Sequence, residues 1–174
     1  MIDDSKDVWH VSTKVEENQY YWNKVPIIQK AQGLEIEKPL VYELFCGCGG
    51  TSLGFEMAGY EIALGVDIHS PSIETFKINH PRSATILGDL AKVDPYLVRE
   101  ITGFKPIDVL IAGVPCQGFS LNNRKRYDED SRNFLYLEFV RMVKALKPKV
   151  VVLENVSGMK STANGSFVYT IENE

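Results

Sequence analysis

The chain has 174 residues, 44% hydrophobic and 24% charged, which excludes a low-complexity polymer and fits one globular domain with a core of its own. Its formal net charge of −4 excludes a surface that is basic throughout, so any contact with a polyanion is local or shared with another chain, with Arg124-Lys125-Arg126 as the basic spot. Three cysteines (Cys46, Cys48, Cys116) are odd in number and too few for a disulfide scaffold, no apolar run is long enough to span a bilayer and no signal peptide is expected, which together point to a reducing, cytoplasmic setting.

Residues 1–38 show no clear period. Trp9, Tyr20, Tyr21 and Trp22 stand among polar residues, and this stretch is expected to be an extension that packs on the domain through its aromatics or reaches a partner. From Pro39 onward strands and helices alternate. Leu40–Phe45 reads as a strand, and Thr51–Ala58 as a helix stopped by Gly59. Glu61–Val66 is a second strand, followed by a helix to about Asn79 with Ser70 as N-cap and Pro71 at the first helical position. Ala84–Leu87 is a third strand, and Asp94-Pro95 opens a helix that Gly103 ends. Asp108–Ala112 is a fourth strand. Leu135, Phe139, Met142, Val143 and Leu146 give helical spacing over 134–146, and Val150–Leu153 is a fifth strand. This alternation predicts an α/β fold, a doubly wound and mostly parallel sheet covered on both faces. Such sheets usually hold more than five strands, so the domain is expected to be incomplete at its C-terminal end.

Four motifs carry chemistry, each following a strand. Glu43-Leu44-Phe45-Cys46-Gly47-Cys48-Gly49-Gly50 is a glycine turn between strand and helix, where glycine allows sharp bends and close approach of a ligand. Asp67 ends the second strand about 20 residues on, the usual place for a ribose-binding carboxylate. The third glycine comes late, at Gly54, so the spacing suits an adenosyl ligand better than a dinucleotide. Cys46 and Cys48 lack the further ligands a zinc site requires, with His10, His69 and His80 scattered. Gly88-Asp89-Leu90 places a carboxylate where it can accept from an exocyclic amine or cap the following turn.

The run Gly113-Val114-Pro115-Cys116-Gln117-Gly118-Phe119-Ser120 places a cysteine in a loop at the end of the fourth strand, either a nucleophile or a structural thiol. The basic residues after it can touch phosphates. Glu154-Asn155-Val156 ends the fifth strand. A carboxylate behind four apolar residues is expected to be partly desolvated and so to favour its protonated, donating form, unless a base or backbone group pairs with it. All these residues fall at carboxyl ends of predicted strands, the edge at which open α/β sheets bind ligands.

In these motifs, and in Asp130-Ser131-Arg132-Asn133-Phe134-Leu135, the chain resembles the cytosine-5 DNA methyltransferase family over about residues 39–165. The resemblance implies a Rossmann-like fold that binds S-adenosylmethionine through Phe45, Gly47, Gly49, Asp67, Ile68, Asp89, Leu90 and Leu135. It implies Cys116 as nucleophile, Glu154 as acid, no metal, and double-stranded DNA as partner, with Ser120, Arg124, Lys125 and Arg126 as its contacts. Residues 39–174 would be the catalytic domain. The family's target recognition domain and closing motif are not matched after Glu154. The chain is therefore expected to need a second polypeptide or a further C-terminal region for activity, and to work in bacterial restriction-modification at the nucleoid. An RNA cytosine-5 methyltransferase, or a cofactor-binding fragment without activity, are the alternative readings.

Overall fold

The computed structural model of the chain describes residues 8–9, 26–115 and 135–154. Their elements are β1 (Val8–Trp9), β2 (Ile27–Gln29), β3 (Leu40–Leu44), α1 (Gly50–Met57), β4 (Glu61–Asp67), α2 (Ser70–Asn79), β5 (Ala84–Leu87), α3 (Pro95–Ile101), β6 (Val109–Gly113), α4 (Leu135–Leu146) and β7 (Val150–Glu154). A 3₁₀ turn, Leu90–Lys92, stands between β5 and α3. None of the helices is long and apolar enough to cross a membrane.

The strands form one sheet in the order β1-β2-β5-β4-β3-β6-β7. β5, β4, β3, β6 and β7 are parallel, and β2 and β1 add to the β5 edge in antiparallel fashion. The expected fold class holds, with two strands more than the five predicted. Both lie in the stretch read as having no period. β2 is three residues long, too short to show an alternation, and pairing with β5 fixes it from Ile27 opposite Leu87 to Gln29 opposite Thr85.

The parallel strands β3, β4, β5 and β6 are buried on both faces, as helical crossovers demand, and β3 is apolar except for Glu43. On one face Val98 and Ile101 of α3 and Phe139, Met142 and Leu146 of α4 pack against Tyr42, Leu44, Leu64 and Leu110. On the other, Phe55 of α1 with Ile73 and Phe76 of α2 covers Val41, Ile62 and Ile111. Gly65 in β4 admits the Phe76 ring. A Cβ there would stand 2.5 Å from Phe76 Cζ, so only glycine lets α2 lie this close to the sheet.

Gly59 (φ 92°) and Gly103 (φ 77°) end their helices in the left-handed region, as expected. The start of α2 differs from the expectation. Its N-cap is His69 and Ser70 is already helical, so the Ser-Pro signal falls one residue further in; His69 Nδ1 meets Ser72 Oγ at 2.8 Å. β7 differs too. It is the outermost strand of the sheet, with Val150 52% and Val151 42% exposed, and Glu154 is exposed rather than desolvated. Four apolar residues in a row promise burial only where a neighbour covers both faces, and β6 is the one strand beside β7 among the described residues.

Candidate functional site

The chain order reverses between β3 and β6. From β3 it winds through β4 to β5 on one side, then crosses to β6 and β7 on the other. Loops diverge at such a switch point and leave a crevice at the carboxyl ends of the strands. Register fixes what stands there. Leu44 is level with Val66 on one side and Ala112 on the other, and Gly113 is level with Glu154. One step further along, Asp67, Phe45, Gly113 and Glu154 form a row across four neighbouring strands. With strands about 4.8 Å apart, Asp67 and Glu154 are about 14 Å apart along it.

Phe45 leaves β3 at φ 56°, a conformation that costs a non-glycine residue energy and that recurs where backbone shape is functional. The turn continues through Gly47 (φ 53°) and Gly49 (φ 86°), and Gly49 caps α1 without a side-chain acceptor. Glu43 supplies the acceptor from the strand beneath. Its Oε2 accepts the Ser52 amide at 3.2 Å and the Ser52 hydroxyl. Glu43 is 3% exposed, and burial pushes its carboxyl above the usual glutamate range, opposed by the Ser52 hydrogen bonds. Cys46 is buried too, and burial, with Asp67 and Glu43 nearby, pushes its thiol far above the usual range, so it acts as a small core residue. Cys48 is exposed.

Asp67 closes the other side of the turn. Its Oδ2 accepts the Gly47 amide at 2.8 Å and its Oδ1 the His69 amide at 2.8 Å. Each carboxylate oxygen accepts two hydrogen bonds, so acceptor capacity remains for a ligand hydroxyl. Ile68 is half-buried beside it. Asp89, buried after β5, accepts the Ala91 amide at 3.0 Å and so caps the 3₁₀ turn, and among the described residues its second oxygen accepts no further hydrogen bond. Leu90 turns its side chain into the core. Arg141 of α4 holds that turn from outside, its Nη2 donating to the Leu90 carbonyl at 2.7 Å and its Nη1 to the Val93 carbonyl at 3.1 Å. Nothing in the sequence around Arg141 announces this clamp.

α4 joins the parallel strands β6 and β7, so it runs against them and begins, at Leu135, near their carboxyl ends. On the far side of the crevice Glu154 Oε2 lies 3.6 Å from where a Cβ on Gly113 would be, with the Phe45 carbonyl oxygen 3.9 Å from the same point. Glu154 is thus turned across β6 toward the turn. β6 leads through Val114 to Pro115 at this edge. Cys116, Ser120, Arg124, Lys125 and Arg126 lie outside the described residues.

A doubly wound sheet with a glycine turn and acceptor carboxylates at its switch point defines the class of open α/β proteins that bind ligands at the carboxyl ends of their strands. The comparisons narrow the class to one family. A family model for the C-5 cytosine-specific DNA methylase matches residues 40–174. The Type II methyltransferase M.XorII of Xanthomonas oryzae pv. oryzae is 44% identical over 133 residues, 75% of this chain and 31% of that protein. M.AquIA of Picosynechococcus sp. is 36% identical over 141 residues, 80% of this chain and 56% of that protein. Among solved structures, a prophage-encoded DNA modification methyltransferase of E. coli superimposes with a TM-score of 0.68 at 35% identity, covering 78% of this chain and 37% of that one. The chain belongs to the C-5 cytosine-specific DNA methylase family. It spans between about a third and somewhat over half of the length of these relatives.

Proposed function

We propose that this chain is the catalytic part of a DNA (cytosine-5)-methyltransferase of a restriction-modification system. Residues 39–174 form its cofactor-binding catalytic domain, and residues 1–38 contribute β1 and β2 to the same sheet. A further C-terminal region or a second polypeptide supplies the part that reads the target sequence. The row Asp67–Phe45–Gly113–Glu154 at the switch point carries this reading, since it holds a ribose acceptor and an acid about 14 Å apart on one edge.

The residues present fit S-adenosylmethionine. Its ribose hydroxyls and adenine amine are donors, and Asp67 and Asp89 each keep acceptor capacity beyond their bonds to the described residues. Asp67 would hold the ribose, Ile68 and Asp89 the adenine, and Phe45, Gly47 and Gly49 the rest of the turn, with Leu135 opposite. When bound, S-adenosylmethionine supplies the methyl group as an electrophile.

The chain's own residues prepare the acceptor. Carbon 5 of cytosine is too electron-poor to attack by itself. The Cys116 thiolate adds to carbon 6, and the ring becomes an enamine with a nucleophilic carbon 5. Glu154 donates to N3 and stabilises the charge that moves into the ring. Its exposure at this edge leaves it open to a base in the crevice. The cytosine must leave the duplex to reach the row, so base flipping is part of the reaction. Ser120, Arg124, Lys125 and Arg126 would steady the loop on the DNA backbone. Once carbon 5 carries the methyl group, a general base takes the carbon 5 proton and the carbon 6–sulfur bond breaks, which releases the Cys116 thiolate and restores the ring.

The test is product analysis. Duplex DNA and RNA are incubated with S-adenosylmethionine and the chain, its C-terminal region or partner polypeptide supplied, and digested to nucleosides. The expected result is 5-methylcytosine in DNA and none in RNA. Methylation of RNA alone would move the assignment to the RNA branch, and methylation of neither would leave a cofactor-binding fragment.

A further inference from the structure

His80 takes no part in the chemistry above, yet it lies against the glycine turn. It follows the last residue of α2, its side chain is 1% exposed, and its ring is 4.7 Å from that of Phe76, centre to centre. Its Nε2 is 3.2 Å from the Gly49 carbonyl oxygen. Its Nδ1 is 3.3 Å from Glu56 Oε2 on α1, close enough for an ion pair though not aligned as a hydrogen bond. A carbonyl oxygen only accepts, so Nε2 must carry a hydrogen here. The neighbouring residue does the same to the neighbouring carbonyl, as Asn79 Nδ2 donates to Cys48 O at 2.9 Å. Two consecutive side chains at the end of α2 therefore hold two consecutive carbonyls of the turn.

The consequence follows from peptide geometry. A trans peptide is planar, with its N–H opposed to its C=O. The Gly49 carbonyl accepts the Leu53 amide at 2.9 Å, the first bond of α1, and the second contact from His80 fixes it further, with the Gly50 amide, first residue of α1, facing away from the α2 side. The fit is close, since a Cβ on Gly49 would stand 2.6 Å from His80 Nε2 and 2.9 Å from Phe76 Cδ2. The end of α2 thus sets the shape of the turn from behind, while Asp67 holds it from the front through Gly47.

We propose that Asn79 and His80 are positioning residues for the cofactor, holding the Cys48 and Gly49 carbonyls so that the turn is shaped before the ligand arrives. The inference rests on the reading of this turn as the S-adenosylmethionine site. Its test is titration calorimetry of S-adenosylmethionine into the full chain, with each variant's melting temperature measured alongside. His80→Phe keeps an aromatic ring and loses the donor, and is expected to bind about tenfold more weakly. His80→Gln, with an amide donor at a similar reach, is expected to return to within about threefold of wild type. Asn79→Ala, at an exposed position, is expected to lose about threefold with an unchanged melting temperature, and it decides the matter if the His80 variants do not fold. Wild-type affinity in both His80→Phe and Asn79→Ala would overturn the proposal. So would losses that merely follow the melting temperature, with no difference between His80→Phe and His80→Gln. A wild-type chain that binds no S-adenosylmethionine would instead overturn the reading of the site on which the proposal rests.

Discussion

Asp67 and Gly47 are joined by a 2.8 Å hydrogen bond from the Gly47 amide to the Asp67 carboxylate, fastening the end of β4 to the turn after β3. The proposed ribose acceptor is thus also a brace of the turn. Asp67→Ala removes both functions, and S-adenosylmethionine binding should weaken by roughly 1–3 kcal/mol. Calorimetry on the folded variant checks this, and an unchanged affinity would remove Asp67 from the site.

The two left-handed glycines of the turn should differ in what they tolerate. Gly47 has nothing within 4 Å of a Cβ, so Gly47→Ala should cost only the backbone strain, about 1–2 kcal/mol. At Gly49 the same strain is joined by overlap with His80 and Phe76. Urea unfolding should show Gly49→Ala as clearly the more destabilised of the two. Equal losses would mean that the close packing behind Gly49 is not real.

The buried Glu43 makes stability depend on pH. Burial raises its carboxyl above the ordinary value of 4.5, so the folded state holds its proton more firmly than the unfolded chain. Its contribution is fully present below pH 4.5 and declines as pH rises through the raised value. Glu43→Gln keeps an acceptor for Ser52 and cannot ionise. Melting temperatures from acid to neutral pH should fall more steeply for wild type than for Glu43→Gln. Parallel curves would place Glu43 outside this linkage.

Glu154 separates chemistry from binding. Glu154→Gln keeps the shape and loses the transferable proton, so methyl transfer should fall by about 10²-fold or more while S-adenosylmethionine affinity stays as it was. Near-normal turnover, measured with labelled methyl donor, would make Glu154 a structural carboxylate.

How far the sequence foretells this arrangement varies with the range of the contacts involved. The alternation from β3 to β7 is legible because glycines and the helix-opening Ser70-Pro71 and Asp94-Pro95 punctuate the apolar runs, signals that act locally. The edge on which Asp67, Asp89 and Glu154 meet is legible too, since a parallel sheet brings every strand end to one side. β2 is not, because three residues fixed by pairing with β5 carry no period. The same holds for contacts made across the fold. Glu43 caps α1 through Ser52, nine residues on, Arg141 reaches back to Leu90 and Val93, and His80 reads as one of three scattered histidines until Gly65 lets α2 settle against the sheet. Local cap rules place the start of α2 one residue late, at Ser70 instead of His69, because His69 pairs with Ser72. The exposure of Glu154 depends on what stands beyond β7, which the strand's own residues do not encode.

The most direct test of the account is covalent trapping. A duplex carrying 5-fluorocytosine at the target position is incubated with S-adenosylmethionine and the chain, together with its C-terminal region or partner polypeptide. Fluorine at carbon 5 cannot leave as a proton does, so the adduct persists. The account predicts a protein–DNA adduct whose linked peptide maps to Cys116 and which is absent in Cys116→Ala. An adduct that survives Cys116→Ala would contradict it.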